Sequence, residues 1–572
     1  MTLIGSLGII VFFGLVTLAV KPVGLYLYNV FDGGRTWLDP ILVPCERAIY
    51  KLGGVDPKRE MRWTEYLFAM LAFNLVGFVL LYPVLRLQGA LPLNPQHFSG
   101  VGAHVAWNTA VSFVTNTNWQ AYGGESTLSY LSQMWLTVQQ FLSPITGLAM
   151  VLAFIRGLTR KNASTLGNFW VDLTRAFLWI ALPVAAVAAL VLIALGTPQN
   201  FAPYTVAHTL QGAKQLLPQG PVASMTSIMQ FGDNGGGYFN TNAGYPFETP
   251  NSASLMFQLI LGFLVPVGLT YYFGKKAGDT RQGWTIFAAM MVLFAFGVFA
   301  TYWAEAAGNP LVSHVLQHAV PNMTGKETRF GVAGSSLFET STTAVSWGST
   351  AAANDSFTPI GSLILLFNMM TGEVIIGAWG VGLLGMLAFA ILAVFLAGLM
   401  VGRTPEYLGK KIQAYEVKMA TLAMIVPTFV ILGLAAWAVS TNGGLSGIFN
   451  PGPQGLSEVL YAFSSGVGNN GSAMGGLNAA APFYTWTVGF AMLIGRFPMY
   501  IPALAIAGSL VKKQSVPPSI GTFPTNSWLF GLLLISTVVI VGALVFFPAL
   551  ALGPLAEQFA MSGGHLFGGV PK

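Results

Sequence analysis

The chain has 572 residues, 54% of them hydrophobic and only 8% charged, with a formal net charge of +6. A soluble domain carries about 25% charged residues, so this charge density excludes a surface facing water and suits one facing lipid, as does the mean hydropathy of +0.64. The single cysteine, Cys45, excludes an internal disulfide and a thiolate metal site, and the basic residues sit in short connections between apolar runs rather than in a patch for nucleic acid.

The N-terminal run "MTLIGSLGIIVFFGLVTLAVKPVG" lacks the positive start and small-residue cleavage site of a signal peptide. It reads as a retained helix with its N-terminus outside. Crossing a bilayer takes about 20 apolar residues. Ten runs meet that length, at about 4–26, 64–86, 134–156, 174–196, 254–274, 283–304, 373–402, 418–440, 484–511 and 527–550. The excess of Lys and Arg marks the inner side. With the N-terminus outside, the inside segments 21–62, 156–175, 274–282, 403–418 and 512–526 hold 20 of the 26 basic residues. The opposite orientation reverses the bias and is rejected. Half of the acidic residues lie outside or near the membrane, so the outer face is net acidic and concentrates cations.

Four outer connections share one pattern: about 10 moderately apolar residues, too few to cross, then a cluster of Gly, Asn, Thr and Ser. They are "AHVAWNTAVSFVTNTNWQAYGG" (103–124), "VASMTSIMQFGDNGGGYFNTN" (222–242), "SSLFETSTTAVSWGSTAAAND" (335–355) and "SEVLYAFSSGVGNNGSAMGG" (457–476). Phe113, Phe231, Val345 and Val467 mark comparable points, at separations of 118, 114 and 122 residues. Such a period signals repeated units. Each reads as a re-entrant hairpin: a short helix enters from outside, stops partway, and the chain returns as non-helical backbone. At membrane depth that backbone is allowed only when buried in protein or lining a wet cavity. Four such loops around one axis form a ring of carbonyl oxygens, which replaces the hydration shell of a monovalent cation. Every loop enters from outside, so the repeats are parallel. This excludes a secondary transporter built on inverted repeats.

Ionisable groups at membrane depth are expensive and mark function. Arg496, near Gly495, Pro498 and Pro502, predicts a broken helix. It is either a fixed positive charge that keeps a cation from leaking straight through, or a cap on carbonyls freed at the break. Glu373 opens the span 373–402 and is followed by Gly377, Gly380, Gly382, Gly385 and Gly398. That run predicts either an unwound gate or close helix packing. Glu373 itself is either a waypoint for the ion or an outer-end cap. Neither a GxxxxGK[ST] loop nor an Asp-Lys-Thr-Gly-Thr string is present, and the inside connections are too short for a nucleotide domain. The motor, where one is used, is another chain, and the loop "GRTPEYLGKKIQAYEVK" (402–418) is either its docking surface or an ordinary basic connection.

"TNTNWQ" (115–120), "FGDNGGGYFNTN" (231–242), "GNNGSA" (468–473), "GRTPEYLGKKI" (402–412) and "IGRFP…IPALAIAGSL" (494–510) resemble, end to end, the KdpA family, the potassium-translocating component of the bacterial Kdp complex. The resemblance implies an all-α polytopic membrane protein of ten transmembrane helices. Four parallel helix–pore-loop–helix repeats surround one pore, with one extra helix at each end. The corresponding segments are 1–62 (N-terminal helix and inside loop), 63–157, 172–275, 283–402 and 418–513 (pore repeats), and 526–572 (C-terminal helix and outer tail). It also implies a multi-pass protein of the bacterial inner membrane that selects K+ from the periplasm. The ion then passes sideways to a KdpB-like P-type ATPase subunit, with a small KdpF-like helix and a KdpC-like subunit completing the complex. The filter residues it implies are Thr115, Asn116, Thr117, Asn118 and Gln120 in the first loop and Gly232, Asn234, Gly235 and Gly236 in the second. The third supplies Ser346 and Gly348, and the fourth Gly468, Asn469, Asn470 and Gly471. The ion path beneath is expected to use Glu373, Gly377, Gly380, Gly382 and Arg496. The sequence departs from the family's pattern at Trp347, a bulky neighbour of the third filter glycine, so the third loop is where an asymmetric pore is expected. The alternative reading is a self-sufficient potassium channel or a Trk/Ktr-like translocator.

Overall fold

The computed structural model describes residues 1–402, 404–517 and 522–564. Arg403, in the expected inside loop, and residues 565–572 of the expected outer tail lie outside the described residues. Helices run in the order α1 (Leu3–Phe31), α2 (Asp39–Gly53), α3 (Trp63–Leu87), α4 (Ala103–Val114), α5 (Tyr130–Thr159), α6 (Phe169–Ala194), α7 (Val222–Phe231) and α8 (Ser252–Lys276). They continue as α9 (Thr280–Ala307), α10 (Gly331–Val345), α11 (Pro359–Met370), α12 (Val381–Val401), α13 (Ala414–Ser440), α14 (Pro453–Gly468), α15 (Pro482–Leu510) and α16 (Trp528–Leu550). Short helical turns and two small hairpins lie in the connections. The hairpins are Thr205–His208 with Lys214–Leu217, and Glu406–Tyr407 with Lys410–Lys411.

Among the described residues ten helices are long and apolar enough to cross a membrane. The half-length helices α4, α7, α10 and α14 lie inside the ring that the spans form, and most of their residues are buried. The spans divide by burial: α5 is 89% buried over its apolar window, whereas α1, α3 and α13 are each about a fifth buried and lie at the periphery. Where spans meet closely, small residues allow it: a Cβ on Gly24 of α1 would lie 2.7 Å from the Gly268 carbonyl of α8.

Proline shapes the helices without cutting them. In α6, Pro183 has no N–H for the Trp179 carbonyl four residues back. The helix widens to a π turn over 176–181, and that carbonyl accepts instead from the Tyr26 hydroxyl at 2.6 Å. The expected break at Gly495–Pro502 is absent: α15 is continuous from Pro482 to Leu510 with both prolines inside. Neighbouring groups can satisfy the few backbone groups that a proline frees in a membrane helix. The expected single span 373–402 is likewise corrected. Its first residues are not helical: α12 alone is long enough to cross, and residues 371–380 separate it from the short α11. There Gly372, Glu373, Ile376, Gly377 and Gly380 all have positive φ, between 50° and 92°. A non-glycine residue is costly in that region, so a run of five such turns cannot continue a helix. The unwound stretch predicted from the glycines is present.

Candidate functional site

Each half-length helix ends in left-handed backbone that turns the chain sharply. The residues are Asn116 and Asn118 (φ 66° and 53°), Asp233 (51°), Ser346 and Gly348 (60° and 85°), and Asn469 and Gly471 (58° and 108°). Three turns close alike, five residues back: Asn234 N donates to Met229 O, Trp347 N to Thr342 O and Asn470 N to Ser465 O, each at 2.9 Å. The first closes over six, Asn118 N to Ser112 O at 3.0 Å. The third loop is therefore regular in its turn, and the first is the exception. The Trp347 indole points away from the loop, stacking on Phe338 with centroids 5.1 Å apart and packing against Gly262.

The four loops converge on one axis. A Cβ on Gly235 would fall 2.7 Å from the Thr117 carbonyl oxygen and 2.9 Å from that of Asn470. At Gly348 it would collide with the Asn470 carbonyl, and at Gly471 with the Thr117 carbonyl, while both positions abut the Gly235 Cα. Thr117, Gly235, Gly348 and Asn470–Gly471, one segment from each loop, thus leave no room for a side chain at the centre. Only glycine tolerates both that proximity and the positive φ of Gly348 and Gly471.

The other expected filter residues link these segments to one another and to the helices around them. Ser143 Oγ on α5 donates to Asn116 Oδ1 at 2.7 Å, and Asn116 Nδ2 donates to the Asp233 carbonyl at 3.1 Å. The Asn234 amide lies 2.6 Å from Asn116 Oδ1. Asn469 Nδ2 reaches Thr117 Oγ1 at 2.9 Å, and the Thr115 and Thr117 hydroxyls are 2.8 Å apart. Ser346 Oγ donates to the Gly468 carbonyl at 3.0 Å. Gly232 caps α7, Gly236 packs on Phe113 and Asn118, and Gly468 abuts the Glu373 carboxylate. Gln120 donates to the Gly237 carbonyl at 2.8 Å and borders an outer cavity of about 410 Å3, whose floor includes Gly235, Gly348 and Gly471.

Beneath the ring, Glu373 is buried, and its Oε1 accepts from Asn470 Nδ2 at 2.7 Å. It lies inside the protein rather than at an outer helix end, so the end-cap reading is overturned. Gly377 and Gly382 lie back to back, and Gly380 packs on Val151 of α5. The Arg496 guanidinium is buried, donates to the Ser143 carbonyl at 3.2 Å and lies 5.4 Å from the Tyr500 ring centroid. No carboxylate lies within ion-pair distance of it among the described residues. A smaller cavity of about 120 Å3 lies here, bounded by Gly468, Gly495, Arg496 and Gly372 and by Pro427 and Ile431 of α13.

Some contributors escaped the sequence reading. Gln140 of α5 donates to the Gly236 carbonyl at 2.6 Å, and Glu339 accepts from the Ala351 and Ala352 amides at 2.6 and 3.0 Å. Lys326 and Glu305 form a fully buried pair at 2.7 Å above the third loop, where burial pulls the ammonium below its usual range and Glu305 opposes that shift. The polar run Gln139–Gln140–Ser143 within an apolar span was the available signal.

Fold and site together define a membrane protein of four parallel pore-loop repeats with a backbone-lined constriction. The family model for the potassium-transporting ATPase A subunit, KdpA, matches residues 10–559. Proteins named potassium-transporting ATPase potassium-binding subunit from Brucella anthropi and Mesorhizobium japonicum are each 54% identical over 568 residues, covering 99% of this chain and all of theirs. One from Acidobacterium capsulatum is 50% identical over 590 residues, again covering 99% of this chain and all of its own. The crystal structure of the potassium transporter TrkH from Vibrio parahaemolyticus shares the fold at a TM-score of 0.51 and 15% identity, over 87% of this chain and 97% of that one. The chain belongs to the KdpA family.

Proposed function

We propose that the chain is the ion-selecting subunit of an ATP-driven potassium uptake complex. K+ enters the outer cavity and is stripped of water by the carbonyls of Thr117, Gly235, Gly348 and Asn470 with their neighbours. It leaves sideways beneath them. The convergence of one glycine-bearing or carbonyl-bearing segment from each of four loops carries this reading, because a monovalent cation needs many weak oxygen ligands and no fixed charge. Arg496 opposes exit straight down the axis, and the lower cavity opens towards α13, which supports a lateral path. With no nucleotide motif in the chain, the energy comes from a KdpB-like P-type ATPase chain, joined by KdpC-like and KdpF-like subunits. The distribution of basic segments supports a location in the bacterial inner membrane with the N-terminus outside.

Purification with its neighbouring chains and an assay of potassium-stimulated ATP hydrolysis test this. Gly236→Asp puts a carboxylate against Phe113 and Asn118, and it is expected to raise the half-saturating potassium or erase discrimination against other cations. Unchanged transport counts against the filter assignment. If the chain alone sustained uptake from micromolar potassium, it would be a self-sufficient channel or translocator instead.

A further inference from the structure

Between α1 and α3, on the side richest in Lys and Arg, α2 presents three distinct faces. At about 100° per residue, Leu42, Glu46 and Tyr50 point one way, and these are the residues that hold it to the protein. Glu46 Oε1 pairs with Arg175 Nε of α6 at 2.8 Å and accepts from the Tyr50 hydroxyl at 2.7 Å. Ile41, Cys45, Ala48, Ile49 and Leu52 form an adjoining stripe that none of the described residues covers: Ile41 is 68% and Leu52 88% exposed, and Trp37 just before the helix is 80% exposed. Arg47 and Lys51 project on the third side, about 120° from each of the others, and both are exposed.

The depth of the helix is fixed by what it touches. Trp179 Nε1 donates to Asp39 Oδ1 and Thr36 Oγ1, both at 3.1 Å. Trp179 lies about 15 Å into α6 and Arg175 about 9 Å in. α6 is about 39 Å long and overhangs a hydrocarbon core of about 30 Å. The Asp39–Glu46 half of α2 is therefore pinned beside a span where hydrocarbon gives way to headgroups. An apolar stripe at that level, flanked by a basic face turned to water, has the build of a helix lying in the membrane plane.

We propose that α2 is an interfacial anchor whose Ile41–Cys45–Ile49–Leu52 stripe dips into the inner leaflet while Arg47 and Lys51 bind anionic phospholipid headgroups. This is independent of the potassium reading. Cys45, the only thiol in the chain, lies on the stripe and reports on it directly. The full chain, carrying a nitroxide at Cys45, is reconstituted into phosphatidylcholine vesicles with or without phosphatidylglycerol. Label depth is then read by power saturation with oxygen and with a water-soluble nickel chelate. The expected label position is about 5–10 Å below the headgroup surface, deeper with phosphatidylglycerol, with that difference abolished by Arg47→Glu/Lys51→Glu. A label open to the nickel chelate in both vesicle types overturns the anchor. A depth indifferent to phosphatidylglycerol, or to the charge reversal, overturns the anionic-lipid assignment. Burial of the label only after the neighbouring subunits are added makes the stripe a protein-docking face and overturns the proposal as a whole.

Discussion

Glu373→Gln and Glu373→Ala separate two roles of one side chain. Asn470 Nδ2 donates both to Glu373 Oε1 and to the Thr342 carbonyl, each at 2.7 Å, while the Asn470 carbonyl faces the axis beside Gly348 and Gly235. Adding the length of the Asn470 side chain to an ordinary oxygen–cation distance places an ion on that carbonyl about 8 Å from the carboxylate. With an effective dielectric constant of about 20, an ionised carboxylate at that distance favours the ion by about 2 kcal/mol, or about thirtyfold in affinity. Gln keeps an acceptor for Asn470 but loses the charge. Ala also removes a charge-assisted hydrogen bond of about 1.5–3 kcal/mol that holds the Asn470 backbone in register. The assay is potassium-stimulated ATP hydrolysis by the assembled complex, titrated with K+ and separately with Rb+ and Na+. Gln is expected to raise the half-saturating potassium about thirtyfold with ion preference intact, and Ala to erase the preference as well. An unchanged half-saturation in the Gln variant refutes the electrostatic role, and intact selectivity in the Ala variant refutes the bracing role.

Arg496→Gln removes an unpaired buried cation below the ring and is expected to raise passive potassium leak through reconstituted vesicles about tenfold, with Arg496→Lys close to wild type. Lys410 Nζ donates to the Gly157 and Leu510 carbonyls at 2.8 and 2.9 Å and also to the Arg160 carbonyl. Lys410→Met is therefore expected to cost about 1–3 kcal/mol, read as a lower Tm in detergent with ion preference unchanged. Glu60 accepts two 2.9 Å bonds from Arg160 and one from Thr165, which hold its carboxyl below the ordinary 4.5. The pair's stability is thus complete above that value and is lost as the pH falls through the depressed one. At so open a site it amounts to less than about 1 kcal/mol, so Glu60→Gln is expected to flatten slightly the acid limb of Tm against pH.

Spans and loops were legible because lipid imposes length and apolarity, and because four loops repeat one polar pattern at one spacing. The axial glycines came from the family resemblance, and close approach of backbones gives the physical reason that no other residue fits at 235, 348 and 471. Depth was not legible. α11 is only 12 residues long, so hydropathy merges it with the preceding loop, and Glu373 then looks like an outer helix end when it lies buried against Asn470. Proline was a misleading sign. α1, α3, α5, α8 and α13 each contain one and run through it, as α15 does with two. What breaks a span here is left-handed backbone, which glycine signals at 372, 377 and 380, but which Glu373 and Ile376 adopt without any sign in their identity.

Fusing four repeats into one chain frees each from the symmetry that a tetramer would impose, and the third repeat uses that freedom. Its inner span alone is interrupted, and the interruption touches every repeat. Trp379 Nε1 donates to the Phe231 carbonyl at the end of α7 at 2.6 Å, and Gly377 N to the Ala344 carbonyl of α10 at 3.1 Å. Glu373 holds Asn470 in the fourth loop, and Gly380 rests on α5 of the first repeat. Any widening of the space beneath the filter has to displace residues 371–380, and in doing so it pulls on the ends of two half-length helices and on the side chain that sets the Asn470 carbonyl. On the proposed function, exit and selection are thereby coupled through one short stretch. A substitution that stiffens it, such as Gly377→Ala, which would drive a Cβ into Gly382, is expected to slow release and disturb ion preference together rather than either alone.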